Sequence, residues 1–125
     1  MNEIPILDND SWDKKISSKR CELYSMFSST TSSITKDMSR MVVPIDDHLV
    51  HRGDGVFESF KCVEGSIYNW DAHLDRFRFS SEKIGLKIPY SKEYLKEIII
   101  QTTRASENPN SSIRVLLSRG TGTMG

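Results

Sequence analysis

The sequence predicts an α+β fold: a small domain with a largely antiparallel sheet and two helices packed on one side of it. Residues 56–63 and 66–70 have β-type composition on either side of a Glu64-Gly65 turn, which predicts a hairpin. Two helical patterns follow, and then an apolar stretch over residues 112–118. The order strand, strand, helix, helix, strand favours helices that cover one face of an antiparallel sheet.

The first helix is predicted over about residues 71–84. Its apolar stripe recurs at i, i+4, i+7, i+11 and i+14 and consists of Trp70, Leu74, Phe77, Ser81 and Ile84. Asn69 or Asp71 can cap the N-terminus, and Gly85 can end the helix in a left-handed conformation.

The second helix is predicted after Pro89. Ser91 can cap it, and Glu93 places a negative charge in its first turn. One face carries Tyr94, Leu95, Ile98, Ile99, Thr102 and Ala105. The helix is expected to end near the turn at residues 108–110.

The first forty residues differ in character from the rest. They are polar, and residues 25–35 are rich in Ser and Thr, whose hydroxyls compete for backbone hydrogen bonds. We therefore expect residues 1–40 to form an irregular, partly helical arm with a short edge strand, and residues 41–125 to form the small domain. Because the chain stops in a glycine-rich loop just after a strand, we expect it to be a fragment.

Composition excludes several classes of function. A length of 125 residues suits one domain. Lys plus Arg and Asp plus Glu both number 17, so no net charge attracts nucleic acid. The apolar runs are far shorter than the roughly 20 residues that cross a membrane. Cys21 and Cys62 form no close pair, which favours a reducing compartment and a cytoplasmic location.

Two short motifs carry weak signals. Residues 120–125 match G-x-G-x-x-G after a strand, but a dinucleotide site needs a following helix and a later acidic residue, so a flexible turn is favoured. His48 and His51 lie near Asp46 and Asp47 and could bind a metal. Since no second Cys/His pair completes such a site, we predict no metal site.

Three arginines are candidates for binding anions. Arg76 lies three residues after His73 on the first helix, so both side chains emerge on one face, and a guanidinium offers phosphate a planar fork. The alternative for Arg76 is an ordinary solvated charge. Arg114 and Arg119 are five residues apart in or just after the last strand, so alternation places them on opposite faces.

Four segments together resemble a known family. They are Met41–His48 (MVVPIDDH), His51–Glu58 (HRGDGVFE), His73–Phe77 (HLDRF) and Ser118–Gly122 (SRGTG). Their order and spacing resemble the class IV, fold-type IV pyridoxal-phosphate enzymes: branched-chain aminotransferases, D-amino acid aminotransferases and 4-amino-4-deoxychorismate lyases. The resemblance implies the N-terminal domain of a homodimeric enzyme with pyridoxal 5'-phosphate as cofactor and an amino acid and a 2-oxo acid as substrates.

The resemblance also implies roles for individual residues. Arg76 takes the place of the arginine that binds the cofactor phosphate. Arg119 corresponds to an arginine that binds the substrate carboxylate in D-amino acid aminotransferases, and Arg114 to one near the pocket of branched-chain enzymes. Phe57 stands where D-amino acid aminotransferases have a tyrosine, which favours a branched-chain aminotransferase or a lyase.

The catalytic lysine of the family belongs to a large C-terminal domain that is absent here, so we assign no catalytic residue and expect the chain to be inactive alone. A non-catalytic dimerisation or ligand-binding module remains an alternative.

Overall fold

The computed structural model describes residues 2–124, and the N-terminal arm is more regular than predicted. It contains helix α1 (Asn9–Ser17), two short strands, β1 (Met26–Ser28) and β2 (Ser33–Thr35), and a 3-10 turn at Met38–Arg40. The strands β1 and β2 pair with each other in an antiparallel hairpin. The expectation of one edge strand is therefore corrected to a separate two-stranded sheet.

The polar segment before the central sheet contains a short helix, α2 (His48–Arg52). The Asp47 side chain caps it by accepting a hydrogen bond from the Leu49 backbone at 2.9 Å. Gly53 ends the helix with φ at 64°. Local capping therefore gives this segment a fixed shape.

The central sheet has three antiparallel strands, β3 (Gly55–Val63), β4 (Ser66–Ile67) and β5 (Ser111–Ser118), in the order β4-β3-β5. Glu64 and Gly65 both have positive φ, at 50° and 80°, as a tight two-residue hairpin turn requires. The hairpin is as predicted, although β4 ends at Ile67. An antiparallel sheet excludes the βαβ order of a dinucleotide-binding fold.

Helix α3 (Trp70–Lys83) and helix α4 (Lys92–Ala105) lie where the sequence predicted them. The Ser91 side chain caps α4 by accepting from the Tyr94 backbone. Two residues of the predicted apolar faces are exposed instead of buried: Ile84 is 39% exposed and Tyr94 is 53% exposed. Ile84 lies just past the last turn of α3, and so beyond the helical periodicity that predicted its burial.

The core lies between the sheet and these two helices. Its buried members are Phe60, Leu74, Phe77, Leu95 and Ile99. Side chains alternate along β3, so that Glu58, Phe60 and Cys62 are buried while Phe57 and Lys61 are exposed. The α+β prediction is confirmed. One face of the sheet is covered by helices, and the other exposes Phe57.

Candidate functional site

Arg76 contacts a buried carboxylate across the boundary between sheet and helix. Its Nε donates to Oε2 of Glu58 at 2.8 Å, and its Nη2 donates to Oε1 at 2.5 Å. The Glu58 side chain is 3% exposed, whereas that of Arg76 is 66% exposed. The guanidinium is therefore anchored on its inner side and open to solvent on its outer side.

His73 completes this cluster. Its Nδ1 lies 3.1 Å from Oε1 of Glu58, and the backbone N–H of Ser59 also donates to that oxygen at 3.1 Å. The two hydrogen bonds from Arg76 are the main reason that the pKa of Glu58 falls to about 2. An ionised carboxylate can only accept, so Nδ1 of His73 carries the hydrogen.

Glu58 lies within one of the family-like segments of the sequence, but no role was predicted for it. The signal was present, because Glu58 occupies the same alternating positions of β3 as Phe60 and Cys62, which predicts that its side chain faces the core. A carboxylate on a buried face requires a charged partner. On the predicted first helix, Arg76 was a candidate for that partner.

Two other predicted site residues lie on the opposite face of the sheet. The guanidinium carbon of Arg114 stands 4.7 Å from the centre of the Phe57 ring, a cation–π contact. Phe57 is 58% exposed and its cross-strand neighbour Leu116 is 54% exposed. This face therefore presents an apolar surface beside a positive charge.

Arg119 is held at the end of the sheet by a different set of contacts. Its Nε donates to Oδ2 of Asp54 at 2.6 Å, and its Nη2 donates to the backbone carbonyl of Ile84 at 2.7 Å. These bonds tie the segment after β5 to the C-terminal end of α3. The hydrogen bond from Arg119 also lowers the pKa of Asp54. Arg76, Arg119 and the Phe57–Arg114 pair thus occupy three separate places within the described chain.

The histidine pair and the glycine motif were the weaker signals of the sequence. The rings of His48 and His51 meet edge to face with centres 5.0 Å apart. Among residues 2–124, His, Cys, Asp and Glu side chains form no group of three that could hold a metal ion. Gly125, the last position of the glycine motif, lies outside the described residues. The described chain also has no helix both long and apolar enough to cross a bilayer.

Comparison with known proteins identifies the family. The model of the family described as Amino-transferase class IV matches residues 55–125, more than half of the chain. The chain belongs to this family. The match covers β3, α3, α4 and β5, and so includes Glu58, Arg76 and the three other predicted site residues.

Individual relatives agree with this assignment. The chain is 41% identical to a chloroplastic D-amino-acid transaminase of Arabidopsis thaliana, over 81% of this chain and 27% of the relative. It is 34% identical to a D-alanine aminotransferase of Listeria monocytogenes, over 57% of this chain and 30% of the relative. The chain therefore spans less than a third of either enzyme.

A solved structure resembles the fold. It is a T.th. branched-chain amino acid aminotransferase complexed with N-(5'-phosphopyridoxyl)-L-glutamate, and it superposes with a TM-score of 0.63 and 27% identity. The match covers 69% of this chain and 31% of that one. The ligand of that enzyme carries a phosphate.

Proposed function

We propose that this chain provides the phosphate-binding part of a pyridoxal-phosphate site in a class IV aminotransferase, with Arg76 as the phosphate ligand. The observation that carries the proposal is the exposed guanidinium fixed by the buried Glu58 carboxylate. A guanidinium is planar, so the edge formed by Nη1 and the second Nη2 hydrogen lies away from that carboxylate. This outer edge can donate to two oxygens of one phosphate.

The whole protein would transfer amino groups between an amino acid and a 2-oxo acid. When bound, the cofactor supplies the electron-withdrawing ring for this chemistry, while protein residues bind and orient it. In support, the relatives are aminotransferases. A homodimer, as the resemblance implies, and a cytoplasmic location, as the cysteine pattern favours, belong to the same proposal.

For the substrate carboxylate, the contacts favour Arg114 over Arg119. Arg119 is held by two separate protein acceptors, the Asp54 carboxylate and the Ile84 carbonyl, and its side chain is 39% exposed, against 66% for Arg76. Arg114 instead lies over the Phe57 ring on the exposed face of the sheet. A substrate carboxylate that paired with Arg114 would place its side chain near the apolar surface of Phe57 and Leu116.

This apolar surface favours a branched-chain amino acid as substrate, in agreement with the phenylalanine at position 57. The second candidate is a D-amino acid, which the 41% identity to a D-amino-acid transaminase supports. Turnover of the full-length protein with L-leucine and with D-alanine separates the two. Activity with D-alanine alone would reject the branched-chain proposal.

The test of Arg76 is Arg76→Lys in the full-length protein, with Arg78→Lys as the matched control. Arg78 is an exposed arginine two positions further along the same helix. Lysine keeps the charge but cannot present a fork to two oxygens. We expect the dissociation constant for pyridoxal phosphate to rise about tenfold in Arg76→Lys, which corresponds to about 1.4 kcal/mol, and to stay unchanged in Arg78→Lys.

Pyridoxal, which has the same ring and aldehyde but no phosphate, provides the second control. If Arg76 had only a structural role, Arg76→Lys would lower the unfolding free energy and weaken the binding of pyridoxal phosphate and pyridoxal equally. A loss confined to the phosphorylated ligand supports the proposal. Equal affinities for pyridoxal phosphate in the wild type and Arg76→Lys would reject it.

A further inference from the structure

We infer that Glu58 is a positioning residue for this phosphate site: it holds the Arg76 guanidinium by its inner edge so that the outer edge faces the phosphate. The inference rests on the proposed function of Arg76. It concerns a residue that would contact neither phosphate nor substrate and would act through another side chain.

The geometry of the pair fixes the plane of the guanidinium. Both carboxylate oxygens of Glu58 accept from Arg76, one from Nε and the other from Nη2. A single hydrogen bond would leave the group free to rotate about it, whereas two parallel bonds do not. An exposed arginine without such a partner samples many rotamers, and binding an anion would then have to order it.

The Glu58 side chain is itself held in place by contacts with its own strand and with helix α3. It lies on β3, the middle strand of the central sheet. The Ser59 backbone and His73 donate to the Oε1 atom of Glu58, and the His73 ring packs 5.1 Å from the Phe60 ring centre. These contacts connect the orientation of Arg76 to the hydrophobic core. A site supported in this way is ordered before the ligand arrives.

Electrostatic repulsion and positioning predict opposite changes in cofactor affinity when Glu58 is made neutral. A carboxylate near a phosphate site repels the phosphate, so replacing Glu58 with a neutral residue should tighten binding if only Coulomb forces matter. If Glu58 positions Arg76, the same replacement should weaken binding, because glutamine offers only one acceptor oxygen and turns an N–H group towards the guanidinium. The sign of the change therefore decides.

The experiment compares Glu58→Gln with Asp75→Asn in the full-length protein. Asp75 neighbours Arg76 in sequence, but its carboxylate is 71% exposed and lies 3.8 Å from Lys92. Each substitution removes one negative charge, and only the first disturbs the Arg76 fork. We expect the dissociation constant for pyridoxal phosphate, relative to that for pyridoxal, to rise about tenfold in Glu58→Gln and to stay level or fall slightly in Asp75→Asn.

Unchanged or tighter binding of pyridoxal phosphate by Glu58→Gln would overturn the inference. If Arg76→Lys still weakened binding, the phosphate-binding proposal would survive that result. Equal affinity in Arg76→Lys and the wild type would instead remove the proposed function itself.

Two further measurements apply if Glu58→Gln does not fold. Glu58→Asp keeps the charge and retracts the carboxylate by one methylene, so it should weaken binding in the same direction. In the wild type, the nitrogen-15 NMR signal of Arg76 Nε–H should remain protected from solvent exchange when pyridoxal phosphate is added. Loss of that protection on binding would mean that Glu58 releases Arg76, and would contradict the inference.

Discussion

Acidification should destabilise the protein through Glu58 in a defined pH range. In the unfolded chain this carboxyl has its ordinary pKa of 4.5, whereas the hydrogen bonds from Arg76 lower the folded-state pKa to about 2. As the pH falls below 4.5, the unfolded chain takes up the proton first, which favours unfolding. The contribution of Glu58 is thus complete above about pH 5 and is lost as the pH falls towards 2.

The size of the effect follows from the two pKa values. The interval from 4.5 to about 2, at about 1.4 kcal/mol for each pKa unit, corresponds to roughly 3 kcal/mol. Arg76 is 66% exposed, so solvent screens its attraction to the carboxylate. We therefore expect on the order of 2 kcal/mol of unfolding free energy from this group at neutral pH.

The assay is urea unfolding of the wild type and Glu58→Gln at a series of pH values between about 7 and 2. Other carboxylates with lowered pKa values, such as Asp54 and Asp71, contribute equally to both proteins and cancel in the difference. The wild type should be more stable by about 2 kcal/mol at about pH 6, and the gap should close as the pH approaches 2. A gap that stays constant over the whole range would refute the argument.

Two further predictions concern the packing that supports the site. Phe77→Ala should lower the unfolding free energy by about 3–5 kcal/mol, because Phe77 is 2% exposed in the core. The control is Phe79→Ala on the same helix, which should lower it far less because that ring is 60% exposed. Equal losses of unfolding free energy in urea would contradict this placement. Gly55→Ala should destabilise the fold by about 1–3 kcal/mol, because the new Cβ would lie 2.6 Å from the Leu117 carbonyl oxygen. A melting temperature equal to that of the wild type would show that Gly55 and Leu117 are not in such close contact.

The sequence by itself determined the sheet and the two long helices. Alternation along β3, the Glu64-Gly65 turn and the stripe through Leu74 and Phe77 are local patterns whose periods match strand and helix geometry. The family resemblance could be seen in residues 41–125 because its motifs keep their order and spacing along the chain. Arg76 could be named as a candidate anion ligand because guanidinium and phosphate have complementary shapes, and this role stays a prediction.

Only the tertiary structure decided which partner each arginine has. The pairing of Arg76 with Glu58 spans 18 residues, and that of Arg119 with Asp54 spans 65. Hydrogen bonds between such distant residues depend on how the helix lies against the sheet, and no local period encodes that arrangement. The sequence therefore named the three arginines. Packing of α3 on β3 determined that the buried Glu58 holds Arg76 on its inner side, while the outer side of the guanidinium is open to solvent.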